Sequence, residues 1–211
     1  MRGKIEHPRI HVEALSDELI PFLELEDELH DRLIENRTIE NLEADKRSFD
    51  RMVFRNVTVT SSALEQAEFT DIIFENCDFS NVNFSGSLVH RTEFRKCKII
   101  GADFSSSILQ NVELTDCIGD YINFRYAKFK HVRFEDCSLI GSDFYAAALH
   151  HFFLIQCNIN QIVLAGTKLK GIDLSQCQFH SLTVNLEDLE GCTIAADQAP
   201  AFAKLLGLNI I

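Results

Sequence analysis

The sequence predicts an all-β solenoid, a parallel tube with four short sides per coil and a short α-helix at its C-terminal end. Two spacings carry that prediction. Stepping by five from Phe49 lands on Phe54, Val59, Leu64, Phe69 and onward to Phe179 and Val184, 28 positions of which only Gly119 is not apolar. Cys77, Cys97, Cys117, Cys137, Cys157 and Cys177 recur every 20 residues, each two places before one of those centres.

A period of five matches neither the 3.6 of a helix nor the 2 of a strand. Fixed-period self-similarity marks a solenoid, whose units bury their apolar sides only against their neighbours. Four pentapeptides close one coil, so the chain returns to the same wall every 20 residues. Within each pentapeptide the centre points inward, as does the small or β-branched residue two places before it, for example Ala67, Val82, Ala102, Val112, Ala127 and Val132. Coils stack at the strand separation of about 4.8 Å, so seven of them give a rod of roughly 35 Å.

Residues 1–47 lie before the clean repeat and read as an N-terminal capping segment. Ser16 suits a helix cap, and Leu25, Leu29, Leu33 and Ile34 have helical spacing, which predicts a helix over 24–35. Its expected role is to cover the open end of the tube, because a bare β-edge invites association. Leu42 and Ala44 already share the phase of the repeat, so the first coil is expected to begin irregularly near Thr38.

Residues 48–194 form the solenoid. The wall centred on Phe54, Phe74, Phe94, Leu114, Phe134, Leu154 and Leu174 shows Glu75, Glu93, Glu113, Asp116, Glu135, Asp136 and Asp173, and it is the most acidic side. The wall centred on Phe69, Phe129 and Leu169 shows Arg91, Lys128, Lys130, Lys168 and Lys170 with His90, His131, His150 and His151, and it is net positive. Two places break the rule. Gly119 leaves a centre empty and is expected to leave a void or draw in Tyr121 or Ile118; Phe152 puts a ring where a small residue is usual and is expected to bulge the wall.

Residues 195–211 are a different text. Asp197 suits a first helical turn, Pro200 is tolerated there, and Gly207 ends a helix expected over about 197–206. Phe202, Leu205, Leu206, Leu208, Ile210 and Ile211 are too apolar for an exposed terminus, so they are expected to pack on the tube end or on a second copy. A two-fold contact there makes a coaxial homodimer.

The net charge is −12, with 13 acidic and 7 basic residues in 1–47, 15 and 12 in 48–184, and 4 and 1 from residue 185 on. That balance argues against direct nucleic-acid binding through phosphates and favours a basic protein partner. No apolar run is long enough for a membrane span, and residues 1–20 lack a basic segment followed by an apolar one, so a cytoplasmic location is expected. Seven cysteines in a reducing compartment, six of them in one inward file, read as a structural ladder. A metal site needs ligands converging from several directions, whereas these come from one wall; no metal and no cofactor are expected. A redox or metal sensor, the alternative use of that file, would label rapidly with thiol reagents when folded. No phosphate loop, HExxH, paired-Cys zinc spacing or nucleophile elbow appears, and a tube filled by Phe and Leu has no cleft, so the chain reads as a non-enzyme.

The uninterrupted five-residue ladder resembles the pentapeptide repeat proteins, which implies a right-handed quadrilateral β-helix. The tail text Leu189, Glu190, Gly191, then Gln198, Ala199, and Leu205, Leu206, Gly207, Leu208, Ile210, Ile211 resembles the end of the Qnr family. The ladder text around Phe124 to Leu139 and Leu169 to Phe179 is similar to the chromosomally encoded Qnr-like proteins of Gram-positive bacteria. The resemblance implies a head-to-head dimer through the C-terminal helix, and a rod that mimics B-form DNA. It also implies binding to DNA gyrase and topoisomerase IV and protection of both from fluoroquinolones. The projecting loops of Gram-negative members are absent, which puts contact on the rod or the N-terminal segment. On that reading Glu75, Glu93, Glu113, Asp116, Glu135 and Asp136 stand in for phosphates. The other reading open at this point is a scaffold or interaction module whose rod binds some other basic partner.

Overall fold

The computed structural model describes residues 4–15 and 28–209. Seven parallel strands form one sheet in chain order: β1 (Glu28–Glu40), β2 (Ser48–Thr60), β3 (Glu68–Glu75), β4 (Leu88–Arg95), β5 (Ile108–Thr115), β6 (Lys128–Glu135) and β7 (Ala148–Ile155). Each residue pairs with the one 20 places on, Phe49 with Phe69, Phe54 with Phe74, Val112 with Val132. The short strands β8 (Ile162–Val163) and β9 (Leu182–Thr183) keep this register, as do isolated bridges such as Asp78 with Lys98 and Asn83 with Asp103. A constant offset of 20 on every wall is a parallel solenoid of four pentapeptides per coil.

The corners explain the period. Two places after a centre the backbone enters the left-handed region, at 24 non-glycine residues with φ between 45° and 62°. That conformation is costly for a side-chain-bearing residue and is tolerated best by Asn, Asp and Gly. Here Asn36, Asn41, Asn56, Asn76, Asn81 and Asn111 share it with less suited residues because the tube must bend every five residues. After many centres the bend is a type II turn, closed by bonds such as Ala67 N to Leu64 O (3.3 Å) and Ser107 N to Phe104 O (3.2 Å). At residues 71, 91 and 111 the strand itself carries the bend, and the pairing steps over the corner residue.

In-register stacking places like upon like inside. Phe84 and Phe104 stack at 4.6 Å and 11°, Phe49 and Phe69 at 5.0 Å and 5°. The six cysteines form one inner file, all free and at most 6% exposed, as the 20-residue spacing predicts. Each thiol donates to a carbonyl of the preceding coil, Cys97 Sγ to Phe74 O at 3.4 Å and Cys117 Sγ to Phe94 O at 3.4 Å. Buried hydroxyls at the same pentapeptide position do likewise: Ser107 Oγ bonds Phe84 O at 2.9 Å and Thr167 Oγ1 bonds Phe144 O at 2.5 Å. A small residue is favoured there because it sits beneath a carbonyl that a compact donor can reach.

Several expectations need correction. The helix expected over 24–35 is replaced from residue 28 on by β1, while Ser16, Leu25 and residues 24–27 lie outside the described residues. Leu29, Ile34 and Ile39 are buried and spaced by five, so among the described residues the repeat is already running at 28, ahead of the expected 48. Residues 28–187 thus make eight 20-residue coils. At Gly119 the gap is closed from above and below, because a Cβ there would meet Leu139 Cδ2 at 3.2 Å and Ile99 Cγ1 at 3.4 Å. Tyr121 and Ile118 stay outside, 64% and 40% exposed, since neighbours in sequence face outward and only neighbours in the file face inward. Phe152 is buried against Phe129 and Phe134, at 5.1 and 5.6 Å. The seven-stranded sheet ends at its strand, and a cleft of about 190 Å³ lined by Phe153, Gly171 and Gln176 opens beside it.

The C-terminal end is closed by a 3-10 turn, Ala196–Gln198, leading into α1 (Ala199–Leu205). Gln198 is buried and its Nε2 donates to Leu174 O at 2.9 Å and Cys177 O at 2.7 Å, satisfying carbonyls that no further coil covers. Phe202 meets Phe179 edge-on at 5.9 Å.

Candidate interaction surface

The acidic wall is largely neutralised by its own coils. One outward column runs Glu35, Arg55, Glu75, Arg95, each directly opposite the next. Arg55 Nε donates to Glu75 at 2.7 Å, and its other arm reaches Glu35. In the neighbouring column Glu93 lies opposite Glu113, and Glu113 opposite Arg133. Like charges across a pair of strands destabilise it. Three bases relieve this pair: Arg95 binds Glu93, Arg133 Nη1 binds Glu113 at 3.0 Å, and His7 Nδ1 lies 2.9 Å from Glu93 Oε1 and 3.4 Å from Glu113 Oε2. Glu93 is 8% exposed in consequence.

His7 belongs to the N-terminal segment, whose described residues 4–15 lie along this wall. Ile5 is buried, and Arg9 N donates to Asp71 Oδ1 at 3.0 Å. The segment acts as a strap across β3, β4 and β5. The cluster of His7, Glu93 and Glu113 could hold a cation by composition, but Arg95 and Arg133 already take the far carboxylate oxygens. It acts as a hydrogen-bonded clamp for the strap.

Glu135 is half-buried, with Arg133 Nη1 4.0 Å away. Asp116 and Asp136, stacked one coil apart at a corner, are exposed and have no ion pair among the described residues. The six acidic residues predicted from the sequence therefore divide: Glu75, Glu93 and Glu113 are engaged internally, while Asp116, Asp136 and the outer edge of Glu135 face outward.

The corner beside this wall carries a second charged column: Asp31, Arg51, Asp71, Arg91, Asn111, His131, His151. Arg91 grips Asp71 through Nε and Nη2, both at 2.6 Å; Asp71 is buried and the Arg91 side chain is 16% exposed. Burial by itself would raise the Asp71 carboxyl, but the Arg91 guanidinium and the Arg9 N–H outweigh it and hold the group below the usual carboxylate range. The hydrogen bond from Arg51 brings Asp31 down to about 2. His131 and His151 stack at 4.6 Å, and burial, then the neighbouring His151, push His131 below its ordinary value. The wall expected to be positive thus has Arg91 neutralised, and Lys168 is paired with buried Asp188 at 2.9 Å.

At the C-terminal end Leu206 and Leu208 are 58% and 55% exposed, Leu205 is partly exposed, and Phe202 is half-buried on the tube; Ile210 and Ile211 lie outside the described residues. No helix among the described residues is long and apolar enough to cross a membrane.

Comparison with known proteins fits this geometry. Residues 87–151 and 127–199 match the pentapeptide repeat region, and residues 53–91 match pentapeptide repeats. The uncharacterized protein YisX of Bacillus subtilis (strain 168) is 44% identical over 179 residues, 85% of this chain and 84% of that protein. Among solved structures, full-length QnrB1, a plasmid-mediated fluoroquinolone resistance protein, is 17% identical with a TM-score of 0.41, covering 86% of this chain and 90% of that one. HetL, a pentapeptide repeat protein involved in heterocyst differentiation regulation from the cyanobacterium Nostoc sp. strain PCC 7120, is 16% identical with a TM-score of 0.33, covering 80% and 83%. With repeat matches running from residue 53 to 199 and a 44% identical relative over most of its length, the chain belongs to the pentapeptide repeat family.

Proposed function

We propose that this chain is a cytoplasmic, dimeric DNA mimic that binds DNA gyrase and topoisomerase IV. It protects them from fluoroquinolones by competing with DNA or by remodelling the drug-bound complex. The observation that carries this reading is the exposed file of Asp116 and Asp136, without an ion pair among the described residues and fixed on a filled tube. Carboxylates held rigidly in that way meet the Lys and Arg of a DNA-binding surface without an ordering cost. The tail text that resembles the Qnr family supports the same partner, and the exposed Leu206 and Leu208 support a second copy at that end. The test is gyrase supercoiling with and without ciprofloxacin. The added protein is expected to restore supercoiling in the presence of drug and to bind purified gyrase. No binding, and no change in quinolone sensitivity on expression in a susceptible bacterium, would reject the proposal.

A second reading is favoured by the neutralised state of Glu75, Glu93 and Glu113. A wall that satisfies its own charges is a scaffold face, and the rod then meets another basic partner. Supercoiling assays separate the two.

A further inference from the structure

All three tyrosines of the chain lie on one side of the tube. Tyr121 and Tyr126 are 64% and 54% exposed, and the rings of Tyr126 and Tyr145 meet edge-on at 5.7 Å. Arg125 lies between them, its guanidinium carbon 4.6 Å from the Tyr145 centroid and 5.9 Å from that of Tyr126. Its Nη1 donates to Asp143 at 2.9 Å. An aromatic face and a carboxylate holding one guanidinium is a complete arginine receptor, here filled by the chain itself.

The neighbouring Tyr121 and Asp120 offer the same two kinds of group. The Tyr121 ring rests on Gly141, where a Cβ would sit 2.7 Å from Cε1, so one face is supported by backbone and the rest is open. Asp120 Oδ1 accepts from Ser138 Oγ at 2.5 Å and Ile140 N at 3.0 Å, which fixes the carboxylate on the adjacent step of the same coil. Its Oδ2 has no partner among the described residues.

The choice of residue is itself informative. Tyr121 and Tyr126 both adopt φ of 60°, at corners whose equivalents in other coils are Ser61, Asn81, Gly101 and Gln161, or Gln66, Gly86, Ser106 and Ala146. A bulky ring at a left-handed corner is disfavoured, and these rings fill no core. The surrounding carboxylates Asp103, Asp120 and Asp143 outnumber Arg125. Bases of single-stranded nucleic acid also stack on tyrosine, but this charge repels their phosphates.

We propose that Tyr121 and Asp120 form a receptor for an arginine side chain of a basic partner protein, using the two kinds of group that Tyr145 and Asp143 present to Arg125. This rests on the reading of the rod as a binder of basic protein and names a contact that the acidic file does not include.

Calorimetric titration with an oligoarginine peptide, a readout that does not depend on the tyrosine being replaced, is expected to show saturable binding. Half-saturation should rise about tenfold in Tyr121→Asn and in Asp120→Asn, and stay unchanged in Tyr121→Phe. Asn suits a left-handed corner, and Asp120→Asn keeps the Oδ1 acceptor, so neither variant threatens the fold. Equal titrations across all four proteins, no saturable response of the wild type, or saturation by oligothymidylate instead would overturn the proposal. The same proteins are then tested against purified gyrase. Failure of the wild type to bind gyrase while the peptide titration behaves as expected refutes the proposed function and leaves the receptor standing. Gyrase binding by wild type with flat peptide titrations refutes the receptor alone.

Discussion

Asp71 and Arg91 face each other across one coil, two charges nearly removed from water and held together by two parallel hydrogen bonds. Breaking a buried pair strands the surviving charge, so Asp71→Ala is expected to lower unfolding stability by about 3 kcal/mol in urea denaturation. The more exposed pair of Asp31 and Arg51 should show less than about 1 kcal/mol in the same experiment. The folded Asp71 carboxyl is depressed, so its contribution is fully present above the unfolded value of about 3.9 and is lost as pH falls below it. Acid titration of stability should therefore be shallower in Asp71→Asn than in the wild type below about pH 4. The cysteines make a second residue-scale test. Burial pushes Cys177 and Cys192 up to about 11, and the other five thiols lie buried in the same file as Cys177. A thiol reagent at neutral pH should modify the native protein slowly, half-buried Cys192 first, and all seven rapidly in denaturant. Rapid native labelling of the inner file would show that the tube opens.

At the scale of elements, the ladder was legible because each centre repeats a short local rule, and Phe49 through Val184 obey it. The N-terminal boundary is ambiguous in the sequence because Leu25, Leu29 and Leu33 fit a helical spacing, while Leu29, Ile34 and Ile39 fit the five-residue one equally well. Pairing with β2 decides between them. The strap had no signal of this kind: His7 and Glu93 are 86 residues apart, Arg9 and Asp71 are 62 apart, and no period links them. The charge columns did have one, since Glu35, Arg55, Glu75 and Arg95 alternate in sign at intervals of 20. Sorting outward positions by coil would have revealed that the acidic wall neutralises itself. Because the strand pairing uses none of the described residues 4–15, a chain starting at residue 16 should keep the far-ultraviolet circular dichroism of the parent. It should lose about 1 to 3 kcal/mol with the burial of Ile5 and the clamp, and its Glu93 and Glu113 should become open to added polycation. Unchanged stability would show that the strap is not docked in solution.

For the molecule as a whole, a stack in which each coil touches only its neighbours has two ends with different fates. The C-terminal end is sealed by Gln198 and Phe202, and beyond that seal Leu206 and Leu208 face outward. If a second copy covers them, Leu206→Asp with Leu208→Asp should halve the mass seen by sedimentation equilibrium and leave the monomer's spectrum intact. An unaltered mass would place any self-association elsewhere.

The register of 20 also makes the rod a mechanical index. Excising one full coil shortens it by a storey and leaves every remaining side chain aimed in its former compass direction. Excising a single pentapeptide spins everything downstream by a quarter revolution, carrying Tyr121 away from the bearing shared with its upstream neighbours while the interior still fits. Shape and orientation can thus be edited independently, in steps of four and of one.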